Sequence, residues 1–311
     1  MSQPNKVFSD WSCDFRVILI LIYVSSLVLH IYKAHRKRLI KRLQEYVEQG
    51  DLLLGGREIV ATIWESHAWL WHGYELQGLE NLPTEGGCIL LYYHGALPVD
   101  YYYLVVTVLL MKERMVNSVV DKFLFSMPGL KIVMEAFSCT PGTVDTCAEE
   151  LKQGKILGLA PGGVYEAQFG DHQYQILWKE RLGFAWAALK ANVPILPVFT
   201  ENIREAFRVL PVGGKFFYWL FQKTRLPLRP IFGGFPVKLR SHIGEPIYPE
   251  EGTTPEMLRD RCKVMVTCNG SYFKEKLFQD ALEKMIARHQ RLPGSILRGI
   301  FDRFVRKPKF H

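Results

Sequence analysis

The 311-residue chain has six cysteines, Cys13, Cys88, Cys139, Cys147, Cys262 and Cys268, but no CxxC pair and no histidine at zinc spacing from any of them. That absence argues against a metal site or a disulfide framework and reads the cysteines as reduced thiols. There is no Walker lysine motif, no GxGxxG after a strand, no GxSxG elbow and no HExxH, so nucleotide-binding, serine-hydrolase and zinc-protease chemistries lack their anchors. Internal repeats and low-complexity tracts are missing too, and 48% hydrophobic content excludes a disordered chain. Acidic residues are the scarcer charge, 31 against 39 Lys and Arg, for a formal net charge of +8. The excess calls for an anionic partner, whether nucleic acid, a lipid surface or a phosphate-bearing substrate, and does not choose among them.

What is present begins with an apolar run. Residues 15–32 carry only Arg16 and His30 as ionisable groups, just short of the roughly 20 residues of a spanning helix, and are expected to anchor the chain in a membrane. The basic flank from Lys33 through Arg38, Lys41 and Arg42 follows the run, whereas residues 1–14 carry Lys6 against Asp10 and Asp14. The positive-inside rule then keeps the body of the protein in the cytosol, where a sequon at Asn269 is silent. A secretory signal peptide fits less well, because the positive charge lies on the wrong side and no A-x-A-like cleavage site follows.

Beyond the anchor the pattern alternates. Residues 36–72 read as amphipathic helix, rich in tryptophan near the end (Trp64, Trp69, Trp71). Short apolar runs at 89–93, 115–120, 155–160 and 193–200 read as strands, and residues 101–111, 125–137, 144–153 and 181–191 between them as helices. Such alternation predicts an α/β fold, a mixed sheet flanked by helices. Residues 236–243 alternate like a further strand, a long helix is expected over 255–289, and the tail 296–306 is basic and amphipathic. Between 203 and 235 the sequence turns aromatic with basic edges, suiting either a bilayer surface or an apolar substrate groove. The expected organisation is an N-terminal tail (1–14), the anchor (15–32), linker helices (33–73), a catalytic domain (74–290) and the basic tail (291–311).

One polar cluster stands out: His94, Asp100, Gly162, Gly163 and Glu166. The strand at 89–93 ends on His94, and Pro98 suits the first turn of the next helix, which would set Asp100 near its positive pole. A histidine held by a carboxylate is a general base for a hydroxyl, and adjacent glycines after a strand let backbone amides face an oxyanion. Taken singly, His94 reads equally well as a core histidine, the glycines as a tight turn, and Glu166 as a solvated carboxylate, a turn-ordering group or an acceptor contact.

Taken together and in order, the blocks resemble the glycerolipid acyltransferase superfamily. The run from Gly78 to Pro83, then Gly86 to His94 and Asp100, is similar to its first block, although five residues rather than four separate His94 from Asp100. Ala160-Pro161-Gly162-Gly163-Val164-Tyr165-Glu166 resembles the third block in its diacylglycerol acyltransferase form, and Val193 to Pro197 the fourth. The resemblance implies His94 as base, Asp100 as its orienting partner, and Gly162, Gly163 and Glu166 as substrate-binding residues. It further implies acyl-CoA as co-substrate with no bound cofactor, a glycerolipid acceptor, no metal, no nucleic-acid partner, and an endoplasmic reticulum membrane with the catalytic domain facing the cytosol. Members that use glycerol phosphates carry arginine in the second and third blocks. Residues 138–146 have none and position 165 is Tyr, so a neutral acceptor, mono- or diacylglycerol, is expected. A lysophospholipid acyltransferase and a catalytically silent lipid-binding protein remain the alternatives.

Overall fold

The computed structural model describes residues 40–41, 44–48, 52–121, 125, 131, 134–135, 137–178, 180–262 and 296–304. The expected anchor at 15–32, the helix beyond residue 262, the Asn269 sequon and most of 125–137 lie outside the described residues. Among the described residues, no helix is long and apolar enough to cross a membrane.

In chain order the elements are α1 (Leu52–His72), β1 (Glu75–Gln77), β2 (Cys88–Tyr92), α2 (Val99–Lys112), β3 (Val116–Val120), β4 (Cys139–Pro141), α3 (Val144–Lys152), β5 (Ile156–Leu159), α4 (Gly163–Phe169), α5 (Gly183–Ala191), β6 (Ile195–Glu201), α6 (Ile203–Ala206), β7 (Phe207–Val209), α7 (Gly214–Thr224), β8 (Ile231–Gly233), β9 (Arg240–Ile243), α8 (Pro255–Cys262) and α9 (Ile296–Phe301). The chain divides inside α1 into two units, residues 1–66 and 67–311. In the first, the Thr62 and Ser66 hydroxyls donate back to the Glu58 and Thr62 carbonyls, the usual refuge of a hydroxyl within a helix.

The second unit holds a seven-stranded mixed sheet in the order β1-β9-β6-β2-β5-β3-β4. β2 runs parallel to both neighbours, β5 and β6. All five of its residues are buried, as a continuous apolar run between two covered faces requires. Side chains alternate across the pleat. Ile89 and Leu91 face a core shared with Leu151 of α3, Phe184 and Ala188 of α5, and Leu258 of α8. Cys88, Leu90 and Tyr92 face the opposite core with Tyr101, Leu104 and Val108 of α2.

β9 inserts antiparallel against β6 and carries β1 at the sheet edge, which makes the sheet mixed. It is shorter than the alternation over 236–243 predicts: Lys238 N–H goes to the carbonyl of Gly299 in α9 rather than to a strand neighbour. α9 is in turn fastened by Arg303, whose guanidinium donates to the carbonyls of Leu70 and Trp71 at the end of α1. A cation there meets the negative pole of the helix.

Candidate active site

Three parallel strands end side by side, and their carboxyl-end loops build the site: 93–98 after β2, 160–163 after β5 and 202–204 after β6. The carboxyl edge of an open parallel sheet is where α/β proteins place their ligand crevices. Flanking this edge, Leu97 and Tyr102 are exposed.

His94 comes two residues beyond the end of β2. Its Nδ1 lies 2.7 Å from the carbonyl oxygen of Gly95, an acceptor only, so Nδ1 carries the proton and donates. The lone pair is therefore on Nε2. Burial pushes the imidazole pKa down to about 4, with the nearby Arg204 guanidinium adding to the fall and the Gly95 carbonyl opposing it. The ring is neutral at physiological pH, in the one tautomer whose Nε2 can accept a proton. The residue as a whole is partly exposed.

Asp100 sits in the first turn of α2, as Pro98 predicts, with Pro98 at the helix N-cap. The bond between the two residues that the dyad expectation calls for is replaced by others. Nδ1 of His94 is taken by Gly95, while the Asp100 carboxylate feels the Thr200 hydroxyl and the amides of its own helix start, which favour its charged form. Its Oδ1 is buried with no hydrogen-bond partner. Burial raises the Asp100 pKa to about 6, the Thr200 hydroxyl and the amides working against the rise, so the group is ionised at neutral pH.

Glu166 is fully buried. Its Oε2 accepts from the His94 amide at 3.0 Å and its Oε1 from the Leu177 amide at 2.9 Å, so one carboxylate pins both the loop after β2 and the loop between α4 and α5. Burial pushes its pKa up to about 7, against the two amides and the charges of Arg204 and Arg181. A carboxylate with a raised folded-state pKa contributes stability that is fully present below its unfolded value of 4.5 and is lost as pH rises through about 7. Going from about pH 5 to about pH 8, the wild-type melting temperature is therefore expected to fall further than that of Glu166→Gln. Equal falls would remove Glu166 as the titrating group.

The glycine pair meets this carboxylate. A Cβ on Gly162 would lie 2.4 Å from Cβ and Cδ of Glu166 and 2.6 Å from its Oε2, so no larger residue fits without displacing the group that holds His94. Gly163 has φ +48°, the left-handed region. Its amide donates to Ala160, which closes the turn. Of the pair, only the Gly163 amide is used in closing this turn. Gly162→Ala is expected to cost about 1–3 kcal/mol in denaturant unfolding and to lower turnover through Glu166. Wild-type behaviour in both would contradict this packing.

A model of the family described as Acyltransferase matches residues 73–201, a span that takes in all five candidate residues. The chain is 40% identical over 293 residues to a Bos taurus protein described as "DGAT1/2-independent enzyme synthesizing storage lipids", covering 94% of this chain and 81% of that one. A Homo sapiens protein of the same description is 40% identical over 286 residues, covering 92% and 81%. This chain belongs to the glycerolipid acyltransferase family. Among solved structures, the 1-acyl-sn-glycerophosphate acyltransferase PlsC from Thermotoga maritima aligns with TM-score 0.49 at 18% identity, covering 89% of this chain and 97% of that one.

Two residues of this acyltransferase enter the site without having been singled out from sequence. Arg204, buried in α6 just beyond the matched span, donates to the Tyr93 hydroxyl at 3.0 Å and to the carbonyls of Ala167 at 3.0 Å, His94 at 3.0 Å and Glu166 at 2.6 Å. It ties the loop after β2 to α4. Its own amide rests on Tyr174, whose hydroxyl donates to Glu205 at 2.6 Å. The advance signal was the segment Asn202-Ile203-Arg204-Glu205, a charged pair shortly after a buried strand, to which no role had been given. Arg181 donates to the Pro161 carbonyl at 2.8 Å, and its Nη1 lies 3.0 Å from where a Cβ of Gly163 would stand. An arginine thus reaches the Pro-Gly-Gly turn of the acyltransferase from outside the blocks in which one was sought.

Proposed function

We propose that the protein is a membrane-associated O-acyltransferase that moves a fatty acyl group from acyl-CoA to the hydroxyl of a neutral glycerolipid, mono- or diacylglycerol, giving triacylglycerol. The observation that carries this reading is the neutral His94 with its Nδ1 hydrogen locked on Gly95 and Nε2 free to accept a proton. The acceptor oxygen attacks the thioester carbonyl while its proton passes to Nε2. The tetrahedral oxyanion is met by the Gly162 amide, the C–S bond breaks, and the imidazolium returns its proton to the CoA thiolate. The Gly95 carbonyl orients His94, Asp100 with its open Oδ1 supplies negative charge that stabilises the imidazolium, and Glu166 and Arg204 hold the loop in place. The storage-lipid description of the relatives at 40% identity favours a neutral product. In this proposal residues 15–32 anchor the chain in the endoplasmic reticulum membrane, with the catalytic unit in the cytosol.

Arg181 beside the Pro-Gly-Gly turn favours a second reading, in which the acceptor carries a phosphate, as in a lysophospholipid acyltransferase. Purified protein in vesicles, given labelled acyl-CoA with diacylglycerol and lysophosphatidate in parallel, separates the two. The neutral reading expects label in triacylglycerol, and label confined to phosphatidate would overturn it in favour of the second.

A further inference from the structure

Between the ends of β6 and β9 the chain leaves the main sheet and builds a separate antiparallel pair, β7 with β8, with the eleven-residue helix α7 between the two strands. α7 buries only Phe221. Phe216 is 57% and Trp219 54% exposed, three residues apart on one stripe with ring centroids 6.1 Å apart. Val212 before the helix and Phe232 on β8 are exposed as well. From residue 206 to residue 244 there is no Asp or Glu, while Lys215, Lys223 and Arg225 stand exposed at the ends of α7.

We infer that α7 and the β7–β8 pair are the surface by which the protein lies on a bilayer containing anionic phospholipid. Aromatic side chains on a solvent-facing stripe, cations at both helix ends and a 39-residue run without a carboxylate complement an anionic headgroup layer above an apolar interior. The opposite face of α7 reaches the site. Tyr218 and Phe221 pack on Tyr165 and Phe169 of α4, with ring centroids 5.5–6.5 Å apart, and α4 carries Glu166 between those two residues. Arg229, ahead of β8, donates through its backbone and guanidinium N–H groups to Gln168 of the same helix. The element that meets lipid is therefore seated on the element that pins His94, which puts the acceptor's entry beside α4. That last coupling rests on the acyltransferase reading, whereas the membrane surface does not.

The test uses the full chain reconstituted in phosphatidylcholine vesicles, with and without phosphatidylserine, and follows the part of the tryptophan emission that Trp219→Phe removes. That emission is expected to be quenched by lipids brominated in their acyl chains and spared by aqueous iodide, more strongly so with phosphatidylserine present. Lys215→Glu/Lys223→Glu is expected to abolish the phosphatidylserine effect. Quenching by iodide, or by neither agent as when a protein partner or second copy covers the helix, would overturn the surface. Equal quenching with and without phosphatidylserine would overturn its anionic character. His94→Ala is expected to keep the lipid quenching, so loss of acyl transfer alone leaves the surface standing. Phe216→Ser/Trp219→Ser, both at exposed positions, is expected to keep the wild-type melting temperature while lowering transfer to vesicle-borne acceptor about tenfold. Unchanged transfer in that variant would overturn the coupling.

Discussion

His94→Ala is expected to lower acyl transfer by about 10²–10⁴-fold while the protein stays folded and membrane-bound. The size follows from the work asked of Nε2. A lipid hydroxyl is a poor nucleophile until its proton leaves, and the imidazole is neutral at the pH of the reaction because burial has pushed its pKa to about 4. The fold has little stake in the ring itself: the loop is held through the His94 amide by Glu166 and through the His94 carbonyl by Arg204, both of which survive the substitution. Asp100→Asn is expected to cost less than His94→Ala, since the Gly95 carbonyl continues to fix the tautomer. Steady-state kinetics of the two variants with labelled acyl-CoA give the ordering. Equal losses would show that the Gly95 contact does not suffice to orient the ring.

Arg204→Met is expected to lower unfolding stability by about 1–3 kcal/mol for each buried acceptor left unpaired, read by denaturant titration. Arg204 is only 2% exposed, and its guanidinium satisfies three backbone carbonyls and a tyrosine hydroxyl from two segments of chain, 93–94 and 166–167. Methionine fills the volume but takes the guanidinium donors away from the Ala167 and His94 carbonyls, while the Glu166 carbonyl keeps the Gly170 amide. Arg204→Lys is expected to recover only part of the loss, because one ammonium cannot span a fork of four acceptors. The reading is distinguished from a catalytic role by order of events: activity should fall only where stability has fallen. A stable but inactive Arg204→Met would place the arginine on the substrate instead.

The parts of the molecule that could be read from sequence are those governed by local rules. The apolar run at 89–93 gives a strand buried on both faces because neither face needs a polar residue, and Pro98 marks the start of α2 because its fixed φ suits a helix entrance. Thr143 caps α3 by accepting from the Thr146 amide, and Gly154 lies just beyond its end with φ +81°, both local signals. What escaped depends on distance along the chain. Glu166 reads on its own as a solvated residue, yet it is buried against an amide 72 residues away. Arg204 reaches the His94 carbonyl across 110 residues, and nothing in its immediate sequence announces this. The antiparallel insertion of β9 between β6 and β1 was equally hidden, because alternation fixes which face a strand buries and not which neighbour it takes. The hydrogen bond from Nδ1 to the Gly95 carbonyl, where a carboxylate was expected, is made to the very next residue, and the spacing of His94 and Asp100 does not reveal it.

The most direct measurement of the central claim follows CoA thiol release and ester formation together, with purified protein in vesicles, labelled acyl-CoA and diacylglycerol. A base-assisted transfer from thioester to lipid hydroxyl predicts equal amounts of free thiol and labelled triacylglycerol. Thiol released with only free fatty acid, or no labelled glycerolipid from folded, membrane-bound protein, would contradict it.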